Sequence, residues 1–436
     1  MNGGTGTGAG SGSGAGSGAG TGAGTGAGSR LRSLTGTRFI AAALVFVFHV
    51  THDDRFITGE TGDALKTVFG RSGNVGVAFF FILSGFVLTW SARAGDTPLR
   101  FWRRRLVKIF PNHVATYLVA GAALLATGKA LTAAVPNLFL VQTWWPDLTA
   151  AVSMNDVSWS LSCELLFYLL FPLLLRWVSR IPERLLWASA GVVFAWMTAV
   201  PAVAMLFFPD SPKVPYGPLS SVTELQMWFV YFFPPVRALD FVLGMLLARL
   251  VLTGRWIGPG VLPAAAITVA AYACTLKAPL LIGVSGAGSA PAGLLIAALA
   301  AADRDGRRTP FAGRTWVWLG EISFAFYMVH RLVITYGHRL LGERETWAPL
   351  PGLGVVLALA AAALLAAWLL YAAVERPAMR HLAVSRRPAP APAPIPEPAA
   401  PAPAPTPEPA APASEPLGPE AGPAQVVRAE PQGQQP

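Results

Sequence analysis

Charge is scarce in this sequence. Asp, Glu, Lys and Arg make up 13% of its 436 residues, against 53% for hydrophobic types, and the mean hydropathy is +0.49. An ordinary soluble domain carries about a quarter charged residues, so a water-exposed globule of this length is excluded. Cysteine is scarcer still. Cys163 and Cys274 both lie in apolar stretches without metal-ligand spacing, which removes a disulfide framework and reads them as small hydrophobes. The apolar core also lacks a Walker loop, a dinucleotide glycine fingerprint, a Gly-x-Ser-x-Gly elbow and any metal-binding pattern, so no metal is expected.

What the sequence has instead is long apolar runs. Ten stretches are expected to span a membrane: 36–51, 74–92, 109–127, 157–178, 185–208, 226–252, 260–276, 280–302, 316–336 and 351–373. They predict an all-α, polytopic membrane helix bundle of about ten transmembrane helices within residues 30–387. Residues 1–29 are almost wholly Gly, Ala, Ser and Thr and lack the basic start and apolar core of a signal peptide, so they read as a flexible arm. Residues 388–436 are rich in Pro, Ala and Glu and read as a disordered cytoplasmic tail.

The formal net charge is +10, which in a soluble protein would suggest nucleic acid. Here the basic residues fall in short clusters between apolar runs, so membrane orientation explains them and no nucleic-acid partner is expected. With ten spans, one side takes 21 Lys and Arg (in 30–32, 93–108, 176–184, 249–255, 304–314 and 376–387) and the other takes eight. The positive-inside rule then predicts a multi-pass protein of the cell membrane with both termini cytoplasmic.

Several apolar stretches carry residues that lipid would not welcome. Arg38 and His49 bracket the first, eleven positions apart, which on a helix is roughly 20° past three full turns and roughly 16 Å along the axis. They share a face, either as the two ends of a site or as an arginine and a histidine at opposite interfaces. Phe79–Phe86 holds a Ser-Gly pair that suits close helix packing. Phe101–Pro111 is basic and aromatic, with Arg104, Arg105 and Lys108; such a segment suits phosphate oxygens or anionic lipid. Glu164 enters the start of the fourth span, as a helix-end acid or as the orienter of a histidine. His330 sits in the ninth, followed by Arg331 and preceded nine residues earlier by Glu321 on a similar face. Trp144, Trp145, Trp228 and Tyr231 fit an interfacial aromatic belt or a stacking surface for a sugar ring.

Together these stretches resemble the acyltransferase-3 family of integral-membrane acyltransferases, over about Leu34 to Pro377. Arg38 and His49 fill its Arg-x10-His motif, and residues 80–86 fit its Phe-Phe-x-Leu-Ser-Gly-Phe. Its Phe-x-x-Arg-Arg-x-x-Arg-Ile-x-Pro falls on Phe101, Arg104, Arg105, Lys108, Ile109 and Pro111. Trp159–Tyr168, Ser323–His330 and the pair Glu375 and Pro377 match three further motifs. Lys108 replaces an arginine, Cys163 a valine, Leu165 a second glutamate and Ala325 a serine.

The resemblance implies a cytoplasmic acyl-CoA donor, acetyl-CoA first among them, and acylation of a hydroxyl on a carbohydrate or glycosylated metabolite. Surface polysaccharide, peptidoglycan and a macrolide or other glycosylated natural product are the acceptor classes. In that chemistry His49 is the candidate base or acyl carrier, with Arg38, Glu164 and His330 completing the catalytic set. Arg104, Arg105 and Lys108 are the candidate donor-binding residues. The alternative is a transporter or flippase using intramembrane Arg, His and Glu as a substrate or proton path, although no inverted repeat is apparent. Oligomeric state is not readable.

Overall fold

A computed structural model describes residues 31–52, 56–93, 95–214, 217–342 and 346–383. The expected arm at 1–29 and tail at 388–436 lie outside the described residues. Within them the protein is helical, without a named strand; two isolated bridges join Ile57 to Trp347 and Lys213 to Thr223. The principal helices are α1 (Arg32–His52), α2 (Gly59–Phe69), α3 (Ser72–Trp90), α4 (Pro98–Ala126), α5 (Trp159–Arg180) and α6 (Leu186–Phe207). They continue with α7 (Pro234–Leu252), α8 (Val261–Lys277), α9 (Pro291–Arg304), α10 (Arg314–Leu340), α11 (Pro349–Leu370) and α12 (Arg376–His381).

Among the described residues, eight helical segments are long and apolar enough to cross a membrane. The two other expected spans fall on α8, which has 17 residues, and on α7, which carries Arg237, Asp240 and Arg249. Two of the expected spans are not continuous helices. The 226–252 stretch breaks at Phe233, where a π-helical turn (Trp228–Phe232) meets Pro234 and Pro235. The 280–302 stretch divides into Leu280–Val284, Gly286–Ser289 and α9, because Ser285 is extended and Pro291 opens a fresh helix.

α1 is the least apolar of the expected spans at its inner end, yet it is gripped on two sides, by α3 and α10. Its start is fixed by Asp303, whose carboxylate accepts from the Ser33 backbone N–H at 2.9 Å and from the Ser33 hydroxyl at 2.5 Å. Two of the first turn's donors and hydroxyls are thereby satisfied without water. Close backbone approach then needs glycine. A Cβ on Gly320 of α10 would lie 1.8 Å from the Thr35 carbonyl oxygen, and one on Gly85 of α3 would lie 1.9 Å from that of Phe241 on α7. The Ser-Gly pair thus divides its labour: Gly85 packs against α7, while Ser84 faces a cavity.

The interior is mostly aromatic and aliphatic, with Phe81, Phe86, Phe167 and Phe241 fully buried. One ion pair lies inside it. Arg237 and Asp240 are each 1% exposed and 3.1 Å apart, and the guanidinium lies over the Phe81 and Tyr231 rings. Removing one partner of such a pair strands a buried charge, at a cost of roughly 3–5 kcal/mol.

Candidate active site

The α4 helix starts cleanly because Thr97 accepts from the Arg100 N–H and Pro98 occupies the first turn. Its regular 3.6-residue period then sorts the basic segment by face. Arg105 and Lys108, three apart, both line a cavity of about 1300 Å³. Arg104 is turned about 100° away. It pairs with Asp96, its Nη1 3.1 Å from Oδ1, and does not line that cavity. Asp96 lies in the loop between α3 and α4, and the hydrogen bond from Arg104 holds its carboxyl below the usual carboxylate range.

Arg38 lines the same cavity from α1, half-buried, with no hydrogen-bond partner at Nε. Arg105 is in the same condition, its Nε buried without a partner and its guanidinium 5.6 Å from the centre of the Phe101 ring. Lys108 is held differently. It forms an ion pair with Glu375, whose second oxygen accepts from Asn112 Nδ2 at 2.6 Å. Glu375 reaches this position from a π-helical turn, Tyr371–Glu375, between α11 and α12. Six basic residues line the cavity (Arg32, Arg38, Arg93, Arg105, Lys108 and Arg304) against two acids, Glu164 and Glu321. That balance suits a polyanion.

Glu164 faces the cavity from the first turns of α5 and accepts a hydrogen bond from the Tyr168 hydroxyl, 3.2 Å from Oε2. Arg38, Arg105 and Lys108 are its cationic neighbours. The two histidines meet further along α1 and α10. The ring centroids of His49 and His330 are 5.4 Å apart. His330 is fully buried, and its Nδ1 lies 2.7 Å from the Tyr327 carbonyl oxygen. Neither histidine lines the cavity.

Tyr327 and Phe80 stand between the two groups. Both line the cavity, with ring centroids 5.9 Å apart, and the Tyr327 ring also lies 5.8 Å from that of His330. The Tyr327 hydroxyl is 2.8 Å from Ser160 Oγ and donates to the Val157 carbonyl at 3.1 Å. The neighbouring Arg331 pairs with Asp156, Nε to Oδ2, at 2.6 Å. The structure therefore brings Arg38, Arg105, Lys108 and Glu164 to one cavity and His49 and His330 to each other, and it turns Arg104 elsewhere. Sequence reasoning did not find the Lys108–Glu375–Asn112 cluster or the Arg237–Asp240 pair. The second had a readable signal, opposite charges three apart in an apolar helix. Among the described residues, no group of three or more His, Cys, Asp or Glu is placed to hold a metal ion.

Comparison with known proteins decides the family. The profile of the acyltransferase-3 family, described as an acyltransferase domain, matches residues 31–372. The chain is a member of that family. It is an enzyme that transfers acyl groups, and with its apolar helices it is a multi-pass membrane protein. It is 43% identical over 370 residues to acyltransferase MdmB of Streptomyces mycarofaciens, covering 82% of this chain and 94% of that one. Nodulation protein 10 of Rhizobium leguminosarum bv. viciae is 29% identical over 36% of this chain and 46% of its own. The peptidoglycan O-acetyltransferase OatA of Listeria monocytogenes is 26% identical over 42% of this chain and 31% of its own. No solved structure matches.

Proposed function

We propose that this acyltransferase moves an acyl group, acetyl in the first instance, from cytoplasmic acyl-CoA to a hydroxyl of a carbohydrate or glycosylated metabolite. The observation that carries this reading is the cavity with six basic residues and two acids, next to a pair of histidines in contact. Coenzyme A is a polyanion, and Arg105 and Lys108 meet its phosphates, with Arg38 on the opposite wall. The acyl end then extends past Ser84 and Tyr327 towards His49. Ten spans with both termini cytoplasmic follow the 21-to-8 distribution of basic residues and place this donor side inside.

The acceptor's O–H is deprotonated by His49 as its oxygen attacks the thioester carbonyl. The tetrahedral intermediate collapses with loss of the coenzyme A thiolate, which takes the proton back from the imidazolium, giving ester and free thiol. A positioned base of this kind contributes about 10²–10⁴-fold. Glu164 counters the charge of the basic cluster and hydrogen-bonds within the donor cavity. Peptidoglycan and other saccharide acceptors come within this chemistry through the relation to OatA, and glycosylated metabolites share their hydroxyl.

The test is purified full-length protein in detergent with labelled acetyl-CoA and candidate acceptors. Thiol release that depends on acceptor, together with an acyl mass increment on that acceptor, is the expected outcome. Acceptor-independent inertness towards every acyl-CoA would refute the donor assignment.

A further inference from the structure

The hydrogen bonding of His330 fixes which of its nitrogens can act. Nδ1 lies 2.7 Å from the Tyr327 carbonyl oxygen, and a carbonyl only accepts, so Nδ1 carries the hydrogen. In the neutral ring that leaves the lone pair on Nε2. This atom is buried and has no hydrogen-bond partner. The surrounding rings are Phe46, Phe326, Tyr327 and His49, and only His49 can offer an N–H from its ring. Imidazole nitrogens stand a little over 1 Å from the ring centre. Two rings with centroids 5.4 Å apart can therefore bring facing nitrogens to about 3 Å, a hydrogen-bond distance.

The carbonyl that pins His330 is itself held. Asn155 Nδ2 donates to the Met328 carbonyl at 2.9 Å, Asp156 pairs with Arg331, and Ser160 meets the Tyr327 hydroxyl. One turn of α10 is thus tied at three points to residues 155–160.

We infer that His330 is a positioning residue whose Nε2 accepts a hydrogen bond from one ring N–H of His49, placing the lone pair of the other His49 nitrogen towards the acceptor hydroxyl. His330 stays neutral and takes no proton in the reaction. A base oriented by a third group is a recurring arrangement in acyl transfer. Here the orienting group is an uncharged ring, which can be buried without the cost of a stranded carboxylate. The inference rests on the reading of His49 as the base.

The experiment compares His330→Gln and His330→Phe with wild type as full chains in detergent. Gln offers a carbonyl oxygen that accepts from His49 but cannot take a proton; Phe keeps the ring that stacks on Phe326 and offers no acceptor. The expected result is kcat down at least ~100-fold in His330→Phe and within ~10-fold of wild type in His330→Gln. Donor KM should stay within about threefold in both, as neither touches the donor cavity. Should His330→Phe melt early, His330→Leu reads the same loss. His330→Gln as inactive as His330→Phe would overturn the inference by giving His330 the proton, and near wild-type rates in both would overturn it by leaving only packing. Wild-type transfer from acetyl-CoA is measured alongside, and its absence would refute the donor and base reading instead.

Discussion

Arg104 and Arg105 are adjacent in sequence and both match the family's basic motif, yet they should behave differently. Arg105→Gln removes a guanidinium that lines the cavity and has an unpartnered buried Nε. A hydrogen bond to a charged group contributes about 1.5–3 kcal/mol, so donor binding should weaken by roughly 10- to 150-fold. Gln keeps one amide donor, which places the expected rise in donor KM near the lower end, about tenfold. Arg104→Gln removes only the pairing with Asp96, whose partners are 36% and 19% exposed. Solvent screening keeps such a pair below about 1 kcal/mol, so its donor KM should move less than about fivefold. The assay is thiol release at saturating acceptor over a range of acetyl-CoA concentrations, with detergent melting of each variant as the folding control. Equal shifts in the two variants, or a larger one for Arg104→Gln, would refute the assignment of faces on α4.

His49→Ala should lower transfer by about 10²-fold or more with melting unchanged, and acyl-enzyme trapped with donor alone in wild type but not in this variant would establish a two-step route. Gly85→Ala should lower the detergent melting temperature, since its Cβ would lie 1.9 Å from the Phe241 oxygen; about 1–3 kcal/mol of overpacking is expected, and an unchanged melt would mean α3 and α7 can part. The Asp96 carboxyl is lowered by Arg104, so the pairing is fully present above the ordinary carboxylate pKa of about 3.9 and lost only as pH falls through the lower folded value. The difference in melting between wild type and Asp96→Asn should therefore be flat from about pH 5 to 8, and a change within that window would contradict the pairing. A reporter after Arg387 should read cytoplasmic and one near Pro212 external; the same side for both would break the ten-span topology.

Much of the helix bundle was legible because a membrane imposes one requirement on every span, satisfied backbone within an apolar run. Even the first span, short by hydropathy, was recoverable from the basic residues flanking its neighbours, and it forms the continuous helix Arg32–His52. Continuity was less visible where a chain break costs little. Phe233 and Ser285 interrupt expected spans, and the prolines at 234, 235 and 291 were the readable warning. The shared face of Arg38 and His49 followed from eleven residues of unbroken helix. So did the separation of Arg104 from Arg105, a consequence of 100° per residue that the basic run itself obscures.

Periodicity says which residues share a face of one helix and nothing about which helix that face meets. Arg38, Arg105 and Glu164 come from three helices, and their common cavity depends on how closely α1, α3, α4 and α5 approach. That approach is set by single glycines against backbone carbonyls, whose partners lie far along the chain: Gly85 against Phe241, Gly320 against Thr35. Lys108 and Glu375 illustrate the same limit for charge. Each reads alone as a charged residue near a span end, where an interface would accept it. Only the π-helical turn at Tyr371–Glu375 carries the carboxylate to the lysine and Asn112, so that both of its oxygens are engaged at 2% exposure. A charge buried to that degree is tolerable only with such partners, and the cationic lining of the donor cavity is consequently fixed by a residue 267 positions away from the basic motif it serves.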